Sequence, residues 1–404
     1  MRDVTSTLPF APAIPVPAFA AGPARRFTVD GDAGLEEHLR ATCARVRAGV
    51  EALVPARRLE GILLGGGYGR GEGGVLPTPE GDRPYNDMEF YVLLRGSTVL
   101  NEWRHRAALN ELAHALSGPA GVEVEFKVIS RASLERGPVT MFSHDLVRGH
   151  RRVCGSADLL AGCAHHVRAT SIPAAEATRL LLNRCTGLLL ARERLARRPF
   201  TADDADFVER NLAKARLALG DAVLAACGQY HSSCRERASR LVAFDLRGDP
   251  SWLGAVRREH AAGVEFKLHP YRGRRDVADL ELDWDGLSQL ACRVWLWVES
   301  RRQGTEFRSP LGYAGDPAPK CPGSPWWRNW LVNARRLRTR GMLGRRAFRY
   351  PRERLLRTLP VLLWQPEQRV NPRVLARLQR ELQTPADDEA GLLAAYLRLW
   401  EYFR

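Results

Sequence analysis

Asp87 and Glu89 flank a single methionine at the head of an apolar run, Asp87-Met88-Glu89-Phe90-Tyr91-Val92. On an extended chain, residues two apart point to the same face, so the two carboxylates are expected side by side. Like charges that close repel, and a fold tolerates them best where a cation sits between them. Hard oxygen ligands at this spacing suit Mg2+ or Mn2+, which bridge to substrate phosphates. A second acidic strand follows. Along VEVEFKVIS, 122–130, Glu123, Glu125 and Lys127 alternate with apolar residues and share one face. If this strand pairs beside the one that begins near Asp87, one of its glutamates completes a carboxylate triad. Two carboxylates that hold metal and a third that activates a hydroxyl form the arrangement required for two-metal phosphoryl transfer.

Upstream lies GILLGGGYGRGEGG, 61–74, an apolar strand that runs into glycines. Glycine lets backbone approach a ligand closely, and the amides of such a turn suit phosphate oxygens. Gly69, Gly71 and Gly74 satisfy G-x-G-x-x-G, but a dinucleotide-binding fold needs a helix directly afterwards. VLPTPEGDRPY follows instead, and its prolines exclude one long helix. No G-K-[ST] follows either, which excludes a Walker loop. Taken singly, a glycine-rich loop is common and an Asp-x-Glu is usually a solvated strand face. The ordered series of loop, Asp-x-Glu and acidic strand carries the reading.

The elements that must position these residues are legible in outline. Leu35, Leu39, Cys43, Val46, Val50 and Leu53 recur at helical spacing over 34–54. Short strands are expected at 61–66, 89–94 and 122–130, with a helix over 99–117. After about residue 170 strand signals give way to helical ones, over 173–197, 201–227, 232–246, 250–262, 277–302, 327–340, 351–364 and 371–401. Thr201, followed by Asp204 three residues on, suits a capping box. No internal repeat is present. The expected fold class is α+β: a small α/β domain with a mixed sheet over 31–168, then a larger all-helical domain over 169–404. Residues 1–30, with prolines at 9, 12, 15 and 17, read as a flexible tail rather than a signal peptide.

The motifs GGGYGRGEG, NDMEFYV and VEVEFKV together resemble the DNA polymerase beta-like nucleotidyltransferase superfamily, in the style of its antibiotic-modifying bacterial members. The resemblance spans about 60–130. It implies that Gly66, Gly67, Arg70, Gly71 and Glu72 form the nucleotide-binding loop. It implies that Asp87 and Glu89 hold Mg2+ or Mn2+, and that a later acid acts as general base. Glu123 and Glu125 share one face, so alternation does not separate them. The family's base glutamate precedes a run of apolar strand residues, as Glu125 precedes Phe126, Val128 and Ile129; Glu125 is expected ahead of Glu123. Family members close a helical domain over the nucleotide, and a helix lysine there often touches the triphosphate. Lys214, one of four lysines in an arginine-dominated chain, sits in an apolar helix and is the expected counterpart. Asn183 and Arg184 are weaker candidates. The implied reaction moves a nucleoside monophosphate from a triphosphate, ATP being expected, to a hydroxyl acceptor, expected to be a small molecule. A protein- or RNA-directed transferase and an inactive nucleotide-binding scaffold are the alternatives. The chain departs from the family pattern in two places. Gly67 replaces the loop serine, and VLPTPEGDRPYN separates the loop from Asp87.

Composition sets further bounds. Hydrophobic content of 45% and charged content of 26% are those of a folded globular chain. No segment offers the ~18 uninterrupted apolar residues of a membrane span. The net charge of +15 is almost entirely arginine and lacks long basic blocks, so nucleic acid is not the favoured partner. The stretch 335–364 mixes arginines, aromatics and leucines; an arginine-rich helical face is the plainest reading, with RNA or peripheral contact with an anionic membrane as the sharper ones. The eight cysteines are scattered without a C-x-x-C pair, which suits reduced thiols and a cytoplasmic setting. Cys154, Cys163, His165 and His166 match no standard zinc spacing.

Overall fold

A computed structural model describes residues 26–245, 250–273, 275–337 and 345–403. Most of the expected tail, and residues 338–344 of the arginine-rich stretch, therefore lie outside the described residues. The tail's last residues do not hang free. Phe27 is buried, and the Phe27 and Thr28 amides donate to the Glu36 carboxylate at 2.9 and 3.0 Å.

The N-terminal part holds a four-stranded mixed sheet. Its strands are β1 (Leu59–Leu64), β4 (Met88–Leu94), β5 (Val124–Ile129) and β6 (Arg151–Gly155), in the order β5-β4-β1-β6. β1 pairs antiparallel with β4 and β6, whereas β4 and β5 are parallel. Parallel strands need a crossover, which helix α3 (Thr98–Ala120) supplies before it ends at Gly121, φ 73°. Helix α1 (Ala33–Leu53) begins at Asp32, whose side chain accepts the Leu35 amide. Its Leu39, Val46 and Val50 pack with Ile62, Leu64, Phe90 and Val92 on one face of the sheet. On the other face, Leu63, Tyr91 and Leu93 meet Leu134 of the short α4 (Arg131–Glu135) and Leu146 of α5 (Met141–Arg148).

Around the sheet, the loop and the insertion depart from the sequence expectation. The glycine loop is a single helical turn, α2 (Gly66–Arg70). The proline-containing insertion is a hairpin of β2 (Val75–Thr78) and β3 (Gly81–Pro84). A two-stranded ribbon tolerates Pro77 and Pro84 because each strand leaves one edge unpaired. The hairpin docks on the start of α1, where Asp32 and Asp82 exchange amide-to-carboxylate hydrogen bonds of 2.8 and 3.0 Å. β6, with arginines at two of its positions, gave no apolar signal in the sequence.

From Ala175 onward every described element is helical. The helices are α6 (Ala175–Leu195), α7 (Ala202–Ala226), α8 (Cys234–Ala243), α9 (Leu253–Leu268), α10 (Val277–Gln303), α11 (Pro310–Gly315), α12 (Trp326–Leu337), α13 (Glu353–Trp364), α14 (Pro372–Leu382) and α15 (Glu389–Phe403). α7 starts at the expected capping box of Thr201 and Asp204. Leu181, Leu188, Leu212, Leu219, Trp295 and Leu359 belong to one core. The helix expected over 371–401 is two helices. Gln383 takes a left-handed conformation, φ 54°, and Pro385 follows, so the first helix stops although the apolar pattern runs on.

The two parts are joined at Glu72. Its carboxylate, 5% exposed, accepts from Ser233 Oγ at 2.5 Å and from the Cys234 amide at 2.9 Å. It thereby caps the start of α8 from the sheet-bearing part. Burial works against its charge, but the Ser233 and Cys234 hydrogen bonds outweigh it and hold its pKa below the usual value. Replacing Glu72 by Ala is expected to lower stability by about 1–3 kcal/mol. The loss appears in denaturant titration at neutral pH and shrinks as pH falls through the depressed pKa, where the wild-type cap itself protonates. Equal unfolding midpoints for the two proteins would show that other contacts hold the joint.

Candidate functional site

Parallel register sets the centre of the site. Glu89 on β4 stands directly beside Glu125 on β5, and Asp87 precedes β4 by one residue. Ligand oxygens of Asp87, Glu89 and Glu125 all lie within 4.8 Å of one another. Glu125, not Glu123, completes this group. Glu123, one residue before β5, is exposed and lines the cavity described below, and its backbone carbonyl accepts the Met88 amide at 2.8 Å.

Two neighbours steady the acids. Lys127 Nζ lies 2.9 Å from Glu89 and 3.4 Å from Glu125. Burial disfavours this ammonium, but the two carboxylates prevail and raise its pKa. The Tyr91 hydroxyl donates to Glu89 at 2.9 Å. Asp87 is exposed to the cavity, yet Glu89, Glu125 and the rest of the lining displace part of the water around its carboxylate. Burial, then the charges of Glu89 and Glu125, raise its pKa above the usual 3.8, with Lys214 pulling weakly the other way.

The cluster opens into a cavity of about 680 Å³ between the sheet and the helices of the C-terminal region. Gly66 and Gly67 form its rim on the sheet side. Gly66 has φ +60°, a conformation suited to glycine, and a Cβ there would stand 3.6 Å from Glu89 Oε2. At Gly67 a Cβ would come within 2.8 Å of the Glu72 carbonyl. The turn as folded therefore has no room for the serine of the family pattern. Arg70 also lines the cavity, 3.7 Å from Asp145 and 3.9 Å from Glu72. Gly71 and Glu72 face away, toward a second hollow behind the turn.

The helical side is cationic. Lys214 lines the cavity from α7, together with Asp206 and Arg210 on the same helical stripe. Arg184 reaches it from α6; burial lowers its pKa, opposed by Asp221 and Asp87. Asn183 is exposed and does not line it. Lys267 and Arg272 complete the wall. Burial lowers the Lys267 pKa against the pull of Cys234, and the Arg70 and Arg237 charges add to the fall. Sequence reasoning missed Lys267, Arg210 and Asp145. The rarity of lysine that singled out Lys214 applied equally to Lys267, and Arg210 precedes Lys214 by one helical turn. Asp145 carried no signal, because tertiary contacts alone bring it beside Arg70 and the Tyr230 hydroxyl at 3.0 Å.

Cys154, Cys163, His165 and His166 do not form a metal-binding group; among the described residues, the acidic cluster is the group whose geometry suits a cation. Cys163 is buried in the core, and His166 Nε2 pairs with the Leu134 carbonyl at 2.9 Å. Comparison of the chain with protein-family models, curated proteins and solved structures finds no match.

The raised pKa of Asp87 has a thermodynamic consequence. The folded protein holds this proton more tightly than the unfolded chain, so ionised Asp87 opposes folding once pH exceeds the raised value. In chelator-treated protein at neutral pH, Asp87→Asn is expected to raise the thermal midpoint. The gain should fade as pH drops through the raised pKa toward 3.8. A midpoint lower than wild type at neutral pH would contradict the electrostatic account of the cluster.

Proposed function

We propose that this cavity is the active site of a metal-dependent nucleotidyltransferase, which moves a nucleoside monophosphate from a nucleoside triphosphate to the hydroxyl of a small acceptor. One observation carries the reading: three carboxylates from adjacent strands converge across a cavity from a wall of lysine and arginine. An acidic floor suits hard divalent cations, and a cationic wall suits a polyanion. The volume is within the usual range for small-ligand sites.

The residues fit a magnesium-type ion. All three donors are carboxylates, and added positive charge offsets both the loss of solvation and the Glu89 and Glu125 repulsion that raise the Asp87 pKa. Asp87 and Glu89 would hold it. Such an ion, when bound, screens triphosphate charge and orients phosphate oxygens. The protein supplies the rest. Lys214, Arg210 and Lys267 bind the triphosphate from the helical side. The bare turn at Gly66 and Gly67 lets phosphate approach the sheet. Lys127 and Tyr91 fix the rotamer of Glu89, and Lys127 also fixes Glu125. Glu125 accepts the proton of the acceptor hydroxyl. The freed oxygen forms a bond to the α-phosphorus, while the bond from that phosphorus to the bridging oxygen breaks. Pyrophosphate leaves with the electron pair.

The direct test incubates the protein with Mg2+ and each labelled nucleoside triphosphate, then adds cell extract as acceptor source and follows pyrophosphate and labelled product. Asp87→Ala is expected to abolish transfer and metal-dependent triphosphate binding while leaving the circular dichroism spectrum unchanged. Glu125→Gln should keep triphosphate binding and lose most transfer, with Glu123→Gln milder; the reverse order would move the base to Glu123. Nucleotide binding without transfer in the wild type would leave a binding scaffold.

Lys214→Ala is expected to raise the KM for nucleotide by roughly tenfold, the scale of one charge-assisted hydrogen bond. An unchanged KM would return Lys214 to the role of a solvated helix lysine.

A further inference from the structure

Helix α12 is inverted relative to an ordinary surface helix, which turns its apolar stripe to the core. Here the asparagines face inward. Asn329 and Asn333, one turn apart, are buried. Asn333 Nδ2 donates to the Ala347 and Arg349 carbonyls at 2.8 and 3.0 Å, and Asn329 Nδ2 to the Phe348 carbonyl at 3.1 Å. These bonds fix the helix rotation. The large apolar side chains consequently face water: Trp326 is 65% exposed, Trp327 54%, Trp330 37% and Leu331 45%. Phe348, also exposed, extends the patch through its ring contact with Trp326 at 5.9 Å. A contiguous apolar patch of this kind marks an interaction surface.

Charge identifies the partner. Arg328 and Arg335, two turns apart on α12, are both exposed beside the stripe. No acidic residue occurs between Asp316 and Glu353. We propose that this face docks on an anionic lipid bilayer, with α12 lying in the plane of the interface. The tryptophans and Leu331 would enter the headgroup boundary, where indole rings partition favourably, and the two arginines would meet lipid phosphates. A helix with an apolar stripe and flanking cations has the make-up of an interfacial anchor. Single-stranded nucleic acid calls instead for stacking aromatics set within a cationic groove that tracks the backbone; α12 presents its aromatics on an exposed helix face with Leu331 among them. Docking here is independent of the nucleotidyltransferase reading.

The test uses the full chain in sedimentation with two sets of vesicles, phosphatidylcholine alone and phosphatidylcholine mixed with phosphatidylglycerol. Binding is expected to the mixed vesicles, with a blue shift of tryptophan emission, and to weaken as salt rises. Trp326→Ser with Trp327→Ser, and separately Arg328→Glu with Arg335→Glu, should each reduce partitioning by about tenfold or more. All four side chains are exposed, so circular dichroism and thermal midpoint should match wild type in both variants. Absence of vesicle binding, equal binding to neutral vesicles, or full binding by the tryptophan variant would overturn the proposal. A chain that ignores vesicles but retains labelled single-stranded RNA would overturn it as well and assign the face to nucleic acid.

Discussion

Repulsion among Asp87, Glu89 and Glu125 is the constraint around which the rest of the site is arranged. Their oxygens lie within 4.8 Å of one another, a separation at which like charges disfavour full ionisation unless countercharge is close. The sheet cannot relieve this by moving. Glu89 and Glu125 are opposite each other in a parallel ladder, and β4 is buried along nearly its whole length. Relief therefore comes from side chains brought in around the cluster. Lys127 supplies it within the sheet, and Lys214 supplies a weaker share from α7.

That requirement gives the contact between the sheet and the C-terminal helices its importance. The cationic wall belongs to α6, α7 and α9, so the cavity exists only while the helices stay docked against the sheet. Glu72 contributes to docking by capping α8 across the boundary. Asp221 does similar work inside the helical part, pairing with Arg237 at 2.6 Å and His260 at 2.9 Å. The glycine turn lies between these two jobs. Gly66 and Gly67 face the cavity, while Glu72, a few residues on, is turned the opposite way into the joint. One short segment thus shapes the site and fastens the helices that cover it.

Lysine usage follows the same logic. Of the four lysines, Lys127, Lys214 and Lys267 stand at the cluster or the cavity wall. The fourth, Lys320, is buried against Asp316 at 2.6 Å, over the rings of Phe307 and Tyr313. A compact ammonium fits where a planar guanidinium would demand a wider, forked set of acceptors.

The sequence by itself determined what depends on near neighbours along the chain. Alternation placed Glu123, Glu125 and Lys127 on one face of a strand, three-to-four spacing marked α1, α6 and α7, and Thr201 with Asp204 set the start of α7, because these patterns are repeated every two or every 3.6 residues by backbone geometry alone. Tertiary structure decided what depends on register and contact between distant segments. The pairing of β4 with β5 chose Glu125 over Glu123. Glu72, which belongs to the expected nucleotide loop by position, was drawn into capping α8, since a buried carboxylate must be matched to donors wherever they lie. α12 shows the limit most plainly. Its tryptophans and asparagines follow an ordinary amphipathic pattern, which read alone turns the tryptophans inward. The carbonyls of Ala347, Phe348 and Arg349 claim the asparagines instead, and backbone groups from another segment leave no trace in the helix's own periodicity.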